Sequence, residues 1–328
     1  PEQSGFVSPS ARVQPDAPPP VQTRFRVLAS DDAVYLGIRC YEPRMDALYA
    51  HPTPGHDSME VFYRDVVEVF LDPAGRGSEY YQFAVSAGND RFERYWIERG
   101  NTGGGPYDPR WESAVHRDDA GWTIEARLPL AAFYHTDSAR FSSRWTVNIA
   151  RQRKPTFELS SWSSLARGFH EPDRFRHLEN MPAKPARYDV RLGTAQAKME
   201  AQEGDHYRGK LLIDTYAAGD AAGEYRLILT RDDGSPLAEE QPVRFVPGNA
   251  GVTVEPVEFI GLGGHGVGAQ VRDRGGRLVH EQRLIISVEY DALEVVLDEP
   301  FYRDAIFPGQ DVRRVVGRAR ANLRPDLL

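Results

Sequence analysis

Val66-Val67-Glu68-Val69-Phe70-Leu71-Asp72 is followed by the turn Pro73-Ala74-Gly75-Arg76-Gly77 and then by a second apolar run, Tyr80 to Ser86. Apolar residues fall on both faces of the first run, so it reads as a central strand of a sheet. In the returning run Tyr81, Phe83 and Val85 share one side. Upstream, Val34, Leu36, Ile38 and Cys40 alternate with Tyr35, Gly37, Arg39 and Tyr41. A period of two marks a strand with one buried face. Asp31-Asp32 turns the chain between that strand and Phe25/Val27, which alternate with Arg24 and Arg26, so the pair predicts a hairpin. Downstream, Trp122 to Leu128 is another strand, stopped by Pro129, and Trp145, Val147 and Ile149 mark one more. The best helical segment is a short turn around Leu130 to Tyr134. Several strands at this spacing predict an all-β, antiparallel, jelly-roll-like sandwich from about Gln22 to Leu178.

Residues before Val21 are loop-like, since Pro15 and Pro18-Pro19-Pro20 oppose helix and central strand alike. Pro182 and Pro185 mark a short linker at Lys184 to Arg187. A second β-region follows, with strands expected at Tyr207–Tyr216, Tyr225–Thr230, Val252–Ile260, Val267–Arg272 and Leu284–Val288. Asp232-Asp233-Gly234 and Arg274-Gly275-Gly276 supply hairpin turns. About 100 residues of this pattern predict an immunoglobulin-like sandwich, in architecture only, because the disulfide and its packing Trp are absent. Beyond Asp291 the pattern restarts with Leu293 to Leu297, Phe301 to Arg303 and Ile306 to Gln310. The expected division is therefore 1–183, 184–290 and 291–328, the last being the start of a further β-module or a strand returned to an earlier sheet.

The 328 residues, 41% of them hydrophobic, are enough for two or three domains with sizeable cores. A formal net charge of −8 argues against nucleic acid or an anionic membrane as the main partner. No stretch approaches the ~18 apolar residues of a membrane span. The single cysteine, Cys40, excludes an internal disulfide and a Cys-based zinc site, and its place in an apolar alternation marks it as an inert buried thiol. There is no Gly-x-Ser-x-Gly, phosphate loop or dinucleotide fingerprint. The chain starts at Pro1 and ends at Leu328 as a module opens, so it is expected to be an interior part of a longer, exported polypeptide.

The first region resembles the family 9 carbohydrate-binding modules and their sandwich relatives that bind sugars or haem. The matching stretches run in order along about 155 residues. They are Gln22-Thr23 with the hairpin through Val34-Tyr35-Leu36-Gly37-Ile38, Arg64-Asp65 with the strand to Pro73, Gly121 to Pro129, Trp145 to Arg151, Ser161-Trp162-Ser163, and Phe169-His170-Glu171-Pro172. The resemblance implies a non-catalytic sandwich that holds a polysaccharide or a glycan end, with catalysis assigned to another module of the same polypeptide. The family usually opens on an additional strand carrying an early Trp, and that strand is missing here.

Sugar binding needs flat aromatic faces for the apolar side of a pyranose and planar polar groups for its hydroxyls. The resemblance implies an aromatic clamp whose walls match Tyr63, where the family commonly has Trp, and Trp162. Trp96, Arg64, Glu68 and Arg151 are further ligand-binding candidates. Arg151, Glu125 and Glu68 have the alternative of forming an internal ion pair, and Trp122 and Trp145 read as core. The resemblance also implies structural calcium, for which Asp57, Asp72 and Asp90 supply loop oxygens. No catalytic residue is assigned: Glu68 and Asp72 are about 13 Å apart along one strand, beyond the roughly 5–9.5 Å of a glycosidase pair. Tyr80, Tyr81, His116 and Arg127 form no compact lyase motif, and His51 with His56 forms only a weak metal spacing. Met45, Met59, His51 and His56 are the sole clustered haem-ligand types.

Overall fold

The computed structural model describes residues 2–8, 18–52, 57–104, 107–182, 189–218, 221–290, 293–299 and 316–321. The linker expected at Lys184–Arg187, the run Phe301–Gln310, and His56 lie outside the described residues. The fold is nearly all β.

The first half contains β1 (Thr23–Ala29), β2 (Ala33–Tyr41), β3 (Val66–Asp72), β4 (Tyr80–Ser86), β5 (Arg91–Ile97), β6 (Thr102–Gly103), β7 (Glu112–Asp118), β8 (Gly121–Pro129), β9 (Trp145–Arg153), β10 (Glu158–Ser161) and β11 (Arg176–Leu178). One sheet has the order β1-β2-β8-β7. The other runs β10-β9-β3-β4-β5-β6, with β11 also paired to β9. Every pairing is antiparallel, and β1 and β2 form the expected hairpin. β3 is central and buried along its whole length, as its two apolar faces require.

Alternation decides which side chains enter the core. From the larger sheet Val67, Val69, Leu71, Tyr81, Phe83, Val85, Val147 and Ile149 point inward. They meet Val34, Leu36, Ile38, Cys40, Trp122, Ile124 and Leu128 from the smaller sheet. Each such aliphatic or aromatic chain contributes about 1.5–3 kcal/mol on burial. Trp122, Trp145 and Cys40 are fully buried, as read from the alternation, and burial pushes the Cys40 thiol up to about 11. The tight β7–β8 connection depends on Gly121, whose φ of +148° and close approach to the Cys40 carbonyl leave no room for a Cβ. Leu130–Phe133 forms a short 3-10 turn.

The second half contains β12 (Val190–Glu203), β13 (His206–Ala217), β14 (Gly223–Arg231), β15 (Gln241–Phe245), β16 (Gly248–Ile260), β17 (Gly263–Arg272) and β18 (Leu278–Val288). Sheets β12-β13-β16 and β15-β14-β17-β18 enclose a separate core around Leu211, Ile213, Leu227, Val254, Val267 and Ile286. The sequence did not announce β12. Its stretch Gly193 to Ala201 holds three Ala and a single β-branched residue, Thr194, and its ladder is interrupted between Leu192 and Ala195 and between Met199 and Ala201. Past this core, β19 (Leu293–Glu299) pairs with β20 (Val316–Ala321) and with no earlier sheet among the described residues.

The two sandwiches touch. Gln282 of β18 bridges Pro109, Arg283 N donates to the Asp108 carbonyl at 2.8 Å, and Arg110 pairs with Glu281 at 3.1 Å. Arg191 pairs with Asp137 at 3.2 Å, and the buried His280 ring packs edge-on to Tyr134 at 4.8 Å. Burial lowers the His280 pKa to about 3, so this contact is made by a neutral imidazole. The second sandwich is thus seated on the first by polar and aromatic contacts.

Candidate functional site

The outward face of the larger sheet is not uniformly polar. One apolar patch consists of Val66, Ala84 and Phe92, covered by Val61 and Phe62 of the 3-10 turn Met59–Tyr63. Another consists of Phe70, Tyr80 and Ala150, covered by Leu165, Phe169 and Phe175 from the loop after β10. The Glu171 carboxylate pins that loop by accepting N–H groups from Ala166, Arg167 and Gly168.

A polar diagonal separates the two patches. Lys154 Nζ donates to Gln152 Oε1 at 3.3 Å, and Gln152 Nε2 donates to Glu68 Oε1 at 3.0 Å. Gln82 Nε2 donates to Glu68 Oε2 at 2.7 Å, and Trp96 Nε1 donates to Gln82 Oε1 at 2.7 Å. The Arg94 guanidinium lies 4.7 Å from the Trp96 ring centroid. Register explains the line. Gln152 pairs with Val66, Glu68 with Ala84, Gln82 with Arg94, and Tyr80 with Trp96. Each step therefore crosses one strand and advances two residues, so side chains of equal parity line up obliquely. At ~4.8 Å between strands and ~3.3 Å per residue, the row from Gln152 to Trp96 is about 25 Å long.

Glu68 and Gln82 form the buried floor, Gln152, Lys154 and Trp96 are half-buried, and Arg94 is exposed. Burial raises the Glu68 pKa to about 7, against the opposing pull of the Gln152 and Gln82 amides and the Lys154 charge. At the Trp96 end, His170 Nδ1 shares a 2.7 Å hydrogen bond with the Tyr80 hydroxyl and packs 4.7 Å from Trp96. One edge of His170 is open to solvent, yet its packed side and the Arg94 charge lower its pKa to about 4. The ring is therefore neutral near pH 7.

Of the expected ligand-binding residues, Glu68 and Trp96 lie in this row. Tyr63 ends the turn that covers the first patch and is 68% exposed. Arg64 is half-buried, with Nε donating to the His51 carbonyl at 2.9 Å. Trp162 and Arg151 are elsewhere. Ser161 turns its hydroxyl outward to Asn148 Oδ1, so the next side chain, Trp162, points inward. The Trp162 ring is 5% exposed, packs edge-on to Phe25 at 5.0 Å, and carries the Arg176 guanidinium at 5.0 Å. It belongs to the inner core, whereas Tyr63 stands on the outer face. Arg151 has the inward parity of Val147 and Ile149. It donates to the Tyr41 carbonyl at 2.9 Å and pairs with Glu42 at 3.4 Å, so the internal ion pair is what its burial produces. Glu125 is exposed on the four-stranded sheet and faces away from Glu68.

The sequence reading did not single out Gln82, Gln152, Lys154, Arg94 and His170. A signal existed for Gln82, a lone amide in the apolar run Tyr80 to Val85. The other four needed the strand order.

The expected calcium ligands also separate. Asp72 accepts four backbone N–H groups, from Ala74, Gly75, Arg76 and Gly77, so its oxygens are committed to a turn. Asp90 Oδ2 accepts the Ser86 hydroxyl at 2.6 Å. Asp57 does meet other acids: ligand oxygens of Asp57, Glu93 and Asp108 lie within 4.8 Å of one another. An all-carboxylate donor set suits a hard cation such as calcium. Trp111 Nε1 donates to Glu93, and Arg283 of the second sandwich reaches Asp108 at 3.8 Å. The lyase-type residues are dispersed. Tyr81 is inside, bonded to the Phe133 carbonyl, His116 is exposed on β7, and Arg127 pairs with Asp32. Met59 is exposed. Among the described residues no helix is long and apolar enough to cross a membrane.

No curated protein matches the chain. Among solved structures, a family 9 carbohydrate-binding module from Caldicellulosiruptor kristjanssonii in complex with glucose is 14% identical. That match covers 54% of this chain and 83% of that one, with a TM-score of 0.37. The same organism's family 9 module in complex with cellotriose is 13% identical, over 54% of this chain and 81% of that one, again at 0.37. A β-D-mannosidase from Dictyoglomus thermophilum is 8% identical over 81% of this chain and 30% of that one, at 0.24. The model of the family described as carbohydrate family 9 binding domain-like matches residues 8–175. That span is more than half of the chain and contains every strand of the first sandwich except β11, so the chain belongs to the carbohydrate family 9 binding domain-like family.

Proposed function

We propose that the first sandwich binds a polysaccharide or glycan end along the outer diagonal, and that it does so without cutting it. The observation that carries this reading is the linked row Lys154–Gln152–Glu68–Gln82–Trp96. It sets amide, carboxylate, ammonium and indole groups in one line between two apolar shoulders. Planar amide and carboxylate forks match vicinal hydroxyls, and the half-exposed Trp96 and exposed Tyr63 offer faces for a pyranose. The row contains a single carboxylate, whereas glycoside hydrolysis uses two in most families. The second sandwich, seated through β18, holds this face in a fixed attitude to the rest of an exported, multi-domain polypeptide. Its immunoglobulin-like character and the divisions at 183/184 and 290/291 belong to the same reading. So does a structural calcium ion held by Asp57, Glu93 and Asp108, which would stiffen the loops at the β5 side of the sheet.

The test is affinity electrophoresis of the whole chain through gels carrying a panel of polysaccharides. Retardation by at least one glycan, lost in Trp96→Ala, supports the reading. Unaltered mobility across the panel sinks it.

A second reading is a structural β-protein whose sugar site has degenerated. The burial of Trp162 favours it, since the two walls of the implied aromatic clamp stand on opposite sides of the sheet. Unaltered mobility of the wild type is the outcome it requires.

A further inference from the structure

The proposed glycan face has a charge pattern at odds with that of the whole chain. The protein carries a formal net charge of −8, and many of its described arginines pair with a carboxylate. Two cations of the diagonal do not. Among the described residues, Lys154 Nζ has an amide oxygen as its hydrogen-bond partner, and Arg94 has the Trp96 ring. Neither forms an ion pair with a carboxylate there. Both are also held in place. Lys154 follows β9, and its own N–H is fixed on Asp65 Oδ1 at 3.3 Å. The Arg94 guanidinium lies against the Trp96 ring, and its Nε–Nη2 edge faces Gly103, where a Cβ would stand 2.8 Å from Nη2 and 3.0 Å from Nε. Gly103 thus lets the Nε–Nη2 edge come up against the backbone, which leaves the edge between the two terminal nitrogens for a planar acceptor.

The acids around the row are already engaged. Glu68 takes an amide on each oxygen. Glu171 holds the covering loop through its backbone N–H groups and pairs with Arg174, and Asp173 is paired with Arg99. Glu60 lies 3.8 Å from Arg64. A purely neutral sugar would give neither cation a carboxylate at hydrogen-bond distance at the two ends of its site. Removing water from an unmatched cation costs affinity, whereas a carboxylate at the same point gains a charge-assisted hydrogen bond.

We propose, on the strength of the carbohydrate reading above, that the diagonal selects acidic glycans, those whose sugars carry carboxylates. In this arrangement one uronate carboxylate lies on the Arg94 fork beside Trp96, and another is reached by Lys154. The amide–carboxylate floor between them takes hydroxyls.

The test is calorimetric titration of the whole chain with three uronate oligosaccharides (a galacturonan, a glucuronate-substituted xylan and a mannuronan) and, in a separate arm, with sulfated oligosaccharides. Each uronate is run beside its carboxyl-reduced, neutral counterpart, at low and at high salt. At least tenfold tighter binding of one acidic member over its neutral counterpart is expected. The ratio should shrink at high salt and fall close to one in Arg94→Gln and in Lys154→Gln. Equal or tighter binding of the neutral counterparts overturns the inference while leaving the carbohydrate reading intact. So does an acid preference that survives both substitutions. Binding of sulfated oligosaccharides in place of the uronates overturns the carboxylate assignment. Silence of the acidic, neutral and sulfated sugars alike overturns both this inference and the reading it rests on.

Discussion

Glu42 and Glu68 are both buried carboxylates of the first sandwich, and they are held in opposite ways. Glu42 sits at the inner end of the sandwich among arginines. Arg153 Nε donates to it at 2.6 Å and Arg153 Nη2 at 2.7 Å, while Arg151 pairs at 3.4 Å and the Arg44 N–H donates at 2.9 Å. Burial alone would raise its pKa, but these donors and charges outweigh burial and the net shift is downward. Glu68 sits in the outer row with neutral amides on both oxygens, burial prevails, and its pKa rises to about 7. The contrast separates a structural carboxylate from the one in the proposed binding row. Inward parity on β9 brings full charges together as a permanent lock. Outward parity on β3, β4 and β9 leaves a carboxyl near its titration point, among groups that can exchange partners with a ligand.

The largest expected effect breaks the lock. Glu42→Ala leaves the buried Arg151 guanidinium without a carboxylate and Arg153 with Glu158 alone, and removing one partner of a buried pair costs about 3–5 kcal/mol. Urea unfolding near pH 7 should show the loss. A change below about 1 kcal/mol would mean that water reaches the arginines and that the inner cluster is no lock. Next in size is the comparison of two tryptophans. Trp162→Ala empties a core site and should cost about 3 kcal/mol, as large aromatic deletions do. Trp96→Ala, from the half-buried row, should cost distinctly less stability while removing glycan retention. Reversal of that order would exchange the roles assigned to the inner and outer faces.

The two carboxylates also give opposite pH slopes. Glu42, with a depressed folded pKa, contributes stability that is present above its usual value near 4.5 and is lost as the solution becomes more acid. Glu68 works the other way. Between pH 4.5 and about 7 the folded protein keeps a proton that the unfolded chain has released, so stability falls as pH rises through that window. At 1.36 kcal/mol per unit, the share of Glu68 between pH 5 and pH 8 is about 2.5 kcal/mol. Glu68→Gln should remove that slope, leaving a flatter curve that is set lower at acid pH by the donor–donor contact its amide makes with Gln82 or Gln152. Parallel curves for the two proteins would show that Glu68 stays ionised on both sides of the window.

Parity was legible in the sequence; partners were not. The alternation through Val34–Cys40 and Trp122–Leu128 placed the inner residues correctly, and the doubly apolar Val66–Asp72 marked the central strand. Trp162 could not be placed that way, because its orientation depends on Ser161 bonding to Asn148 thirteen residues away. Arg151 likewise acquires its meaning from Glu42, more than a hundred residues upstream. The diagonal row exists only once β9, β3, β4 and β5 are laid side by side, an order set by non-local pairing. The seating of β18 against Pro109 and Asp108 is equally non-local.

The smallest stability effect belongs to the rim. Tyr63 is mostly exposed, its hydroxyl has no hydrogen-bond partner among the described residues, and it packs into none of the apolar patches there. Tyr63→Ala should therefore move the unfolding free energy by no more than about 0.5 kcal/mol. Its effect on a retarded glycan is what sharpens the inner–outer contrast. If the exposed ring stacks on a sugar face, retention weakens with Tyr63→Ala and recovers with Tyr63→Trp, because the larger ring offers more area at the same place. If retention is indifferent to both substitutions, recognition is confined to the polar row. Trp96 would then be the aromatic surface that the glycan meets, a one-walled site in place of the clamp that the sequence resemblance implied.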